Sequence, residues 1–137
     1  MYLIGFPLLV IPFAIYNMIA FLTPGIGWTD RVLSIHLISG REWIVTAQDI
    51  LLAAAILLLA LEILKATRLS SRAIVDHVLS MAVFVAMLVE FLLVAPAGTS
   101  TFFLLMTISF VDVMAGFIVT VRTAQRDLQI ERFDSAA

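Results

Sequence analysis

Four apolar stretches, at residues 3–22, 43–65, 73–95 and 101–121, take up most of this chain. Each has the roughly 20 residues that an α-helix, rising about 1.5 Å per residue, needs to cross a hydrocarbon layer about 30 Å thick. Lipid offers the backbone no hydrogen-bond partners, so a spanning segment of this kind must satisfy itself as a helix. The expected fold is all-α: an integral membrane four-helix bundle built from two antiparallel hairpins, with residues 1–137 forming one transmembrane domain. A mean hydropathy of +1.13 and 13% charged residues, against about 25% in soluble domains, agree with that reading.

The first charged side chain is Asp30. The opening apolar stretch lacks a basic leader and a small-residue cleavage site, and Pro7, Pro12 and Asn17 interrupt it. It is therefore expected to be a retained, bent first span rather than a secretory signal. After it, TPGIGWTD (23–30) is a turn cluster with Trp28 suited to the membrane interface. RVLSIHLISG (31–40) alternates briefly, as either a short strand or an interfacial helix would. Ser39 followed by Glu42 has capping-box spacing, which predicts that the second helix opens near Gly40 with Trp43 at headgroup level.

KATRLSSR (65–72) is short enough to force an antiparallel helix pair, and PAGTS (96–100) closes another, with Thr99 or Ser100 as the N-cap. The tail from Arg122 simply continues the fourth helix. Lys65, Arg68, Arg72, Arg122, Arg126 and Arg132 flank one side of the spans, against Arg31 and Arg41 on the other. By the positive-inside rule both termini of this multi-pass protein are expected in the cytoplasm.

GREWIVTAQD (40–49) and STFFLLMTISFVDVMAGF (100–117) resemble stretches of small, uncharacterised four-helix inner-membrane proteins of bacteria. The layout of spans two to four is also similar to that of the phosphate-starvation-inducible E family, through Glu62 late in span two and the short basic turn after it. The first resemblance implies a bacterial inner membrane as the location, and neither implies an activity.

Counting residues from the turns gives relative depths. With the inner turn centred near Leu69, Glu62 and Asp76 share a level with His77, close enough to Lys65, Arg68 and Arg72 for an inner polar belt of ion pairs. Asp49 and Glu90 share a second level about 20 Å away, joined there by Asn17 and Gln48, with Thr107 a little deeper. Asp112 is expected near the bilayer middle, on a helix face shared with Thr101, Ser109, Gly116 and Thr120, while Phe102, Phe103, Phe110 and Phe117 lie elsewhere. In span three Asp76, Ser80, Met87 and Glu90 share a face, and Ala82 with Ala86 offers a small-residue helix contact. The polar series Asn17, Gln48, Asp49, Glu90, Asp112 is thus a candidate ion or proton pathway. Ionisable groups inside a membrane are functional candidates by default, although protonated carboxyls can also serve as interhelical hydrogen-bond donors.

Other chemistries are poorly supplied. Without cysteine there is no thiolate, disulfide or iron–sulfur chemistry. His36 and His77 fall on opposite sides, so one chain does not bring both to a single metal or haem. The six methionines suit packing, GIG lacks a phosphate-binding context, and no Ser, His and carboxylate set converges. No cofactor, metal site or enzymatic activity is expected, and the scattered basic residues speak against nucleic acid as a partner. The expected partners are the lipid bilayer and either further copies of the chain or a larger membrane complex. Two functions fit: a component of a proton or small-cation channel or transporter, or a non-catalytic accessory or assembly subunit.

Overall fold

The computed structural model describes residues 5–68 and 73–136. In chain order they form α1 (Val10–Leu22), β1 (Arg31–His36), β2 (Glu42–Thr46), α2 (Ala47–Arg68), α3 (Ala73–Leu93), a 3₁₀ turn (Ala95–Ala97) and α4 (Ser100–Ala136). The chain is mostly helical, and α2, α3 and α4 are each long and apolar enough to cross a membrane. The turn expected near Leu69, and with it Arg72, lies outside the described residues, as does the side chain of Arg68.

The first helix is shorter than the expected span 3–22. Its 13 residues rise only about 20 Å, less than the hydrocarbon thickness. Gly5 takes a positive φ of 92°, and the Pro7 carbonyl accepts the Val10 amide in a turn at 3.1 Å, so residues 5–9 are a bent lead-in. Pro12 falls in the first helical turn, where proline is tolerated, and the helix runs on through it to Leu22.

The segment at 31–46 is an antiparallel hairpin, which settles strand over interfacial helix and displaces the expected start of the second helix. His36 pairs with Glu42, Ile35 with Trp43 and Ser34 with Ile44, with an irregularity between Arg31 and Leu33. The loop closes through Leu37 N–H to Arg41 O (2.8 Å) and Gly40 N–H to Leu37 O (2.9 Å), with Gly40 at φ 85°. A three-residue hairpin loop needs such a left-handed residue, and glycine takes it without a Cβ penalty. The Ser39/Glu42 spacing therefore caps no helix, and Trp43 sits in a strand. Seven residues later the same spacing does its work. Thr46 and Asp49 bond reciprocally, Thr46 N–H to Asp49 Oδ2 at 2.9 Å and Asp49 N–H to Thr46 Oγ1 at 3.3 Å, and α2 opens at Ala47.

At its other end α3 stops before Pro96, as helices ordinarily do. Thr99 then caps α4, its Oγ1 accepting the Phe102 amide at 3.1 Å. Tyr16, wholly buried, ties α1 to this corner: its hydroxyl donates to Pro96 O at 2.8 Å and lies 2.7 Å from Thr99 Oγ1. One phenol carries one proton, so Thr99 is the donor in the second bond. Trp28 stacks on the other side of Tyr16, with ring centroids 4.6 Å apart.

α4 packs against both α2 and α3. Its buried arc is accordingly wide, taking in Thr101, Leu105, Ser109 and Asp112 together with Phe102, which sequence periodicity had placed elsewhere. Phe103, Phe110 and Phe117 do face outward, as do Ala82 and Ala86 on α3. The core is Tyr16, Leu51, Ala55, Met87, Ala97, Phe102, Leu105 and Met106. Beyond the packed region α4 runs on through 122–136 as an exposed helix.

Candidate functional site

Two polar clusters flank this core. In the one nearer the hairpin, Asn17 Nδ2 donates to Glu90 Oε2 at 3.3 Å and to Phe13 O at 3.1 Å, while Thr101 Oγ1 donates to Gln48 Oε1 at 3.0 Å. These contacts join α1 to α3 and α2 to α4. Asp49 does not take part. It is exposed and committed to the Thr46 cap, so the expected Asp49–Glu90 pairing is replaced by Asn17–Glu90. Matched depth said nothing about which way each residue faced. Thr107 is also exposed, bonded to the Phe103 carbonyl of its own helix at 2.9 Å.

The second cluster surrounds a cavity of about 20 Å³ lined by Glu62, Lys65 and Ala66 from α2, Asp76, His77 and Ser80 from α3, and Asp112, Gly116 and Val119 from α4. Asp112 thus joins Glu62, Asp76 and His77 on one cavity instead of standing apart from the inner belt. Glu62, Asp76, Ser80 and Asp112 are all buried. Ser80 and Asp112 line the cavity side by side. Lys65 Nζ lies 3.2 Å from Glu62 Oε1, the ion pair expected for this belt.

The lead-in segment closes over the same groups. Leu8 N–H donates to Glu62 Oε2 at 3.1 Å, and Lys65 Nζ donates to Phe6 O at 2.7 Å. Glu62 thereby accepts a free amide at the start of α1, where a carboxylate is favoured. A Cβ on Gly5 would lie 3.8 Å from Asp76 Oδ1, so the backbone there passes directly over the Asp76 carboxyl. The sequence offered one indirect signal for this strap. Gly5 and Pro7 keep the segment out of the helix and leave its amides and carbonyls seeking partners.

Asp76 Oδ1 and His77 Nδ1 are buried without a hydrogen-bond partner. Buried polar atoms are nearly always bonded to protein or to ordered water, so an orphaned pair on one cavity marks a place for a small polar occupant. His77 is there because Gly116 leaves it room: a Cβ at 116 would come within 2.8 Å of Nδ1. Among the described residues lining the cavity, three carboxyl groups face one ammonium group. Left fully ionised in a low-dielectric interior, such a set costs several kcal/mol unless it holds protons, water or a cation. No group of three or more His, Asp and Glu residues among those described is arranged to hold a metal ion.

Between the two clusters lies an apolar layer of Leu51, Ala55, Met87, Leu105 and Met106. Among the described residues the polar groups therefore form two separate levels and not a continuous file. Comparison with protein-family models, with curated proteins and with solved structures found no match. The functional reading rests on this geometry.

Proposed function

We propose that this chain is the ion-binding part of a proton or small-cation channel or transporter, set in a bacterial inner membrane as a four-helix bundle with both termini in the cytoplasm. The observation that carries the reading is the small cavity lined by Asp76 and His77, with one buried, unpartnered atom on each and with Glu62 and Asp112 on the same wall. Carboxyl groups kept inside a membrane, away from water and short of counter-charges, characterise proton and cation relays. Six of the eight basic residues flank the spans on the side of this cluster, which supports a cytoplasmic opening.

The pathway is completed between copies of the chain. The apolar layer separates the two clusters within one protomer, and the outward faces of α3 and α4 carry Ala82, Ala86, Phe103 and Phe110 for a further helix to pack on. That same layer favours the second reading, an accessory subunit whose outward faces dock a larger membrane complex and whose buried carboxyls are structural donors.

Reconstitution into liposomes separates the two. Purified protein is expected to dissipate an imposed proton or monovalent-cation gradient, and Asp112→Asn is expected to abolish this while leaving oligomeric state unchanged. Wild-type protein that folds, assembles and carries no ion would leave the accessory reading in place.

A further inference from the structure

We infer that the cavity holds a single water molecule bridging Asp76 Oδ1 and His77 Nδ1, and that the ion exchanged there is the proton and not a metal cation. The inference rests on the ion-binding reading above and names its substrate. Three observations carry it.

The first is size. About 20 Å³ is room for one water, which needs roughly 10–15 Å³ of such space, and for little more. A hydrated metal ion does not fit, and a stripped one needs several oxygen ligands converging on a point. The described His, Asp and Glu residues are not arranged that way.

The second is the pair of orphaned atoms. Asp76 is 8% exposed, its Oδ1 is wholly buried and unpartnered, and the residue lines the cavity. His77 Nδ1 is the other orphan. A carboxyl oxygen and an imidazole nitrogen can each give or take a proton, and water does both, so one water satisfies the two without any metal.

The third is the charge around them. Glu62 and Lys65 on α2 neutralise each other at 3.2 Å and are occupied further with the strap, Glu62 by Leu8 N–H and Lys65 by Phe6 O. Asp112 on α4 lines the same cavity beside Ser80. The buried atoms left without a partner, Asp76 Oδ1 and His77 Nδ1, are where the water is placed, with Asp112 on the same cavity wall. A proton arriving at Asp76 forms an O–H bond at Oδ1. That bond breaks as the proton passes to the water, which releases one of its own protons to His77 Nδ1. The water is unchanged, Asp76 is again a carboxylate and His77 has become an imidazolium.

The test is nuclear magnetic resonance of protein labelled with ¹⁵N at histidine, in lipid nanodiscs. In the wild type, magnetisation is expected to pass from water to His77 Nδ1. The Nδ1 signal is expected to move with pH and to stay put when Na⁺ replaces K⁺ at constant ionic strength. Asp76→Asn should reduce the pH response of that signal, and Asp76→Leu should abolish the water transfer. Should either variant misfold, the wild-type transfer and cation series decide alone. A dry, pH-silent Nδ1, or one that shifts with Na⁺, overturns the inference. Liposomes that carry protons while His77 stays silent would sink this assignment and leave the proposed function standing. A wet, titrating His77 without any flux would do the reverse.

Discussion

Replacing Tyr16 by Phe removes one oxygen atom from the best-connected point of the fold. The hydroxyl links α1 to the α3–α4 corner through Pro96 O at 2.8 Å and Thr99 Oγ1 at 2.7 Å. Interhelical hydrogen bonds inside membranes contribute about 0.6 kcal/mol on average and about 1.7 at most. Two of them give an expected loss of about 1–3 kcal/mol, with little change in packing volume. Trp28 stacks on Tyr16 and reports locally, so a Trp43→Phe background leaves it as the sole tryptophan. Unfolding in mixed micelles by added sodium dodecyl sulfate, followed by Trp28 fluorescence and by far-ultraviolet circular dichroism, measures the loss. A cycle with Thr99→Val isolates the pair, because Thr99 also caps α4, and a coupling of about 0.6–1.7 kcal/mol is expected. A Tyr16→Phe loss below about 0.3 kcal/mol, within the usual error of additivity, would show that α1 is not fastened at this corner.

Cysteines at 17 and 90 are expected to cross-link readily in this cysteine-free chain and cysteines at 49 and 90 to fail, since Asn17 contacts Glu90 while Asp49 faces outward; the opposite pattern would refute the assigned helix faces. Thr46→Ala should cost about 1 kcal/mol of stability, the usual loss for an N-cap, whereas Asp49→Asn should leave ion flux intact because Asp49 serves the cap and not the cavity. Gly116→Ala should push the His77 ring out of its place, given the 2.8 Å approach to Nδ1, and shift the His77 resonances with an overpacking cost of about 1–3 kcal/mol; unchanged resonances would place the imidazole elsewhere.

The sequence made the long helices legible because a span needs little more than length and apolarity. It misled where two local rules competed. Ser39 with Glu42 and Thr46 with Asp49 have the same spacing, and only the need for a positive φ at Gly40, followed by the β-favouring run Trp43, Ile44, Val45, Thr46, decides that the first lies in a hairpin and the second opens a helix. Depth counting found Glu62, Asp76 and His77 together but put Asp112 too far from them. It took residues 96–100 as a symmetric turn, whereas the contacts of Phe91 with Phe102, Phe84 with Phe110 and His77 with Phe117 share a midpoint near residue 97. That small change of register brings α4 deeper along α3 and Asp112 to Ser80. The strap over the site was the least legible part, because its contacts use backbone atoms of Phe6 and Leu8, which side-chain pattern does not encode.

Ion binding at this cavity requires that carboxyl groups buried between α2, α3 and α4 change their protonation inside the bilayer. Infrared difference spectra between acid and neutral pH, taken on protein in lipid, read this through the C=O stretch of the protonated carboxyl. Such a band is expected in the wild type, diminished in Asp76→Asn and again in Asp112→Asn, with the amide bands of folded helix unchanged. A wild-type spectrum without that band, or one identical in both variants, would contradict it.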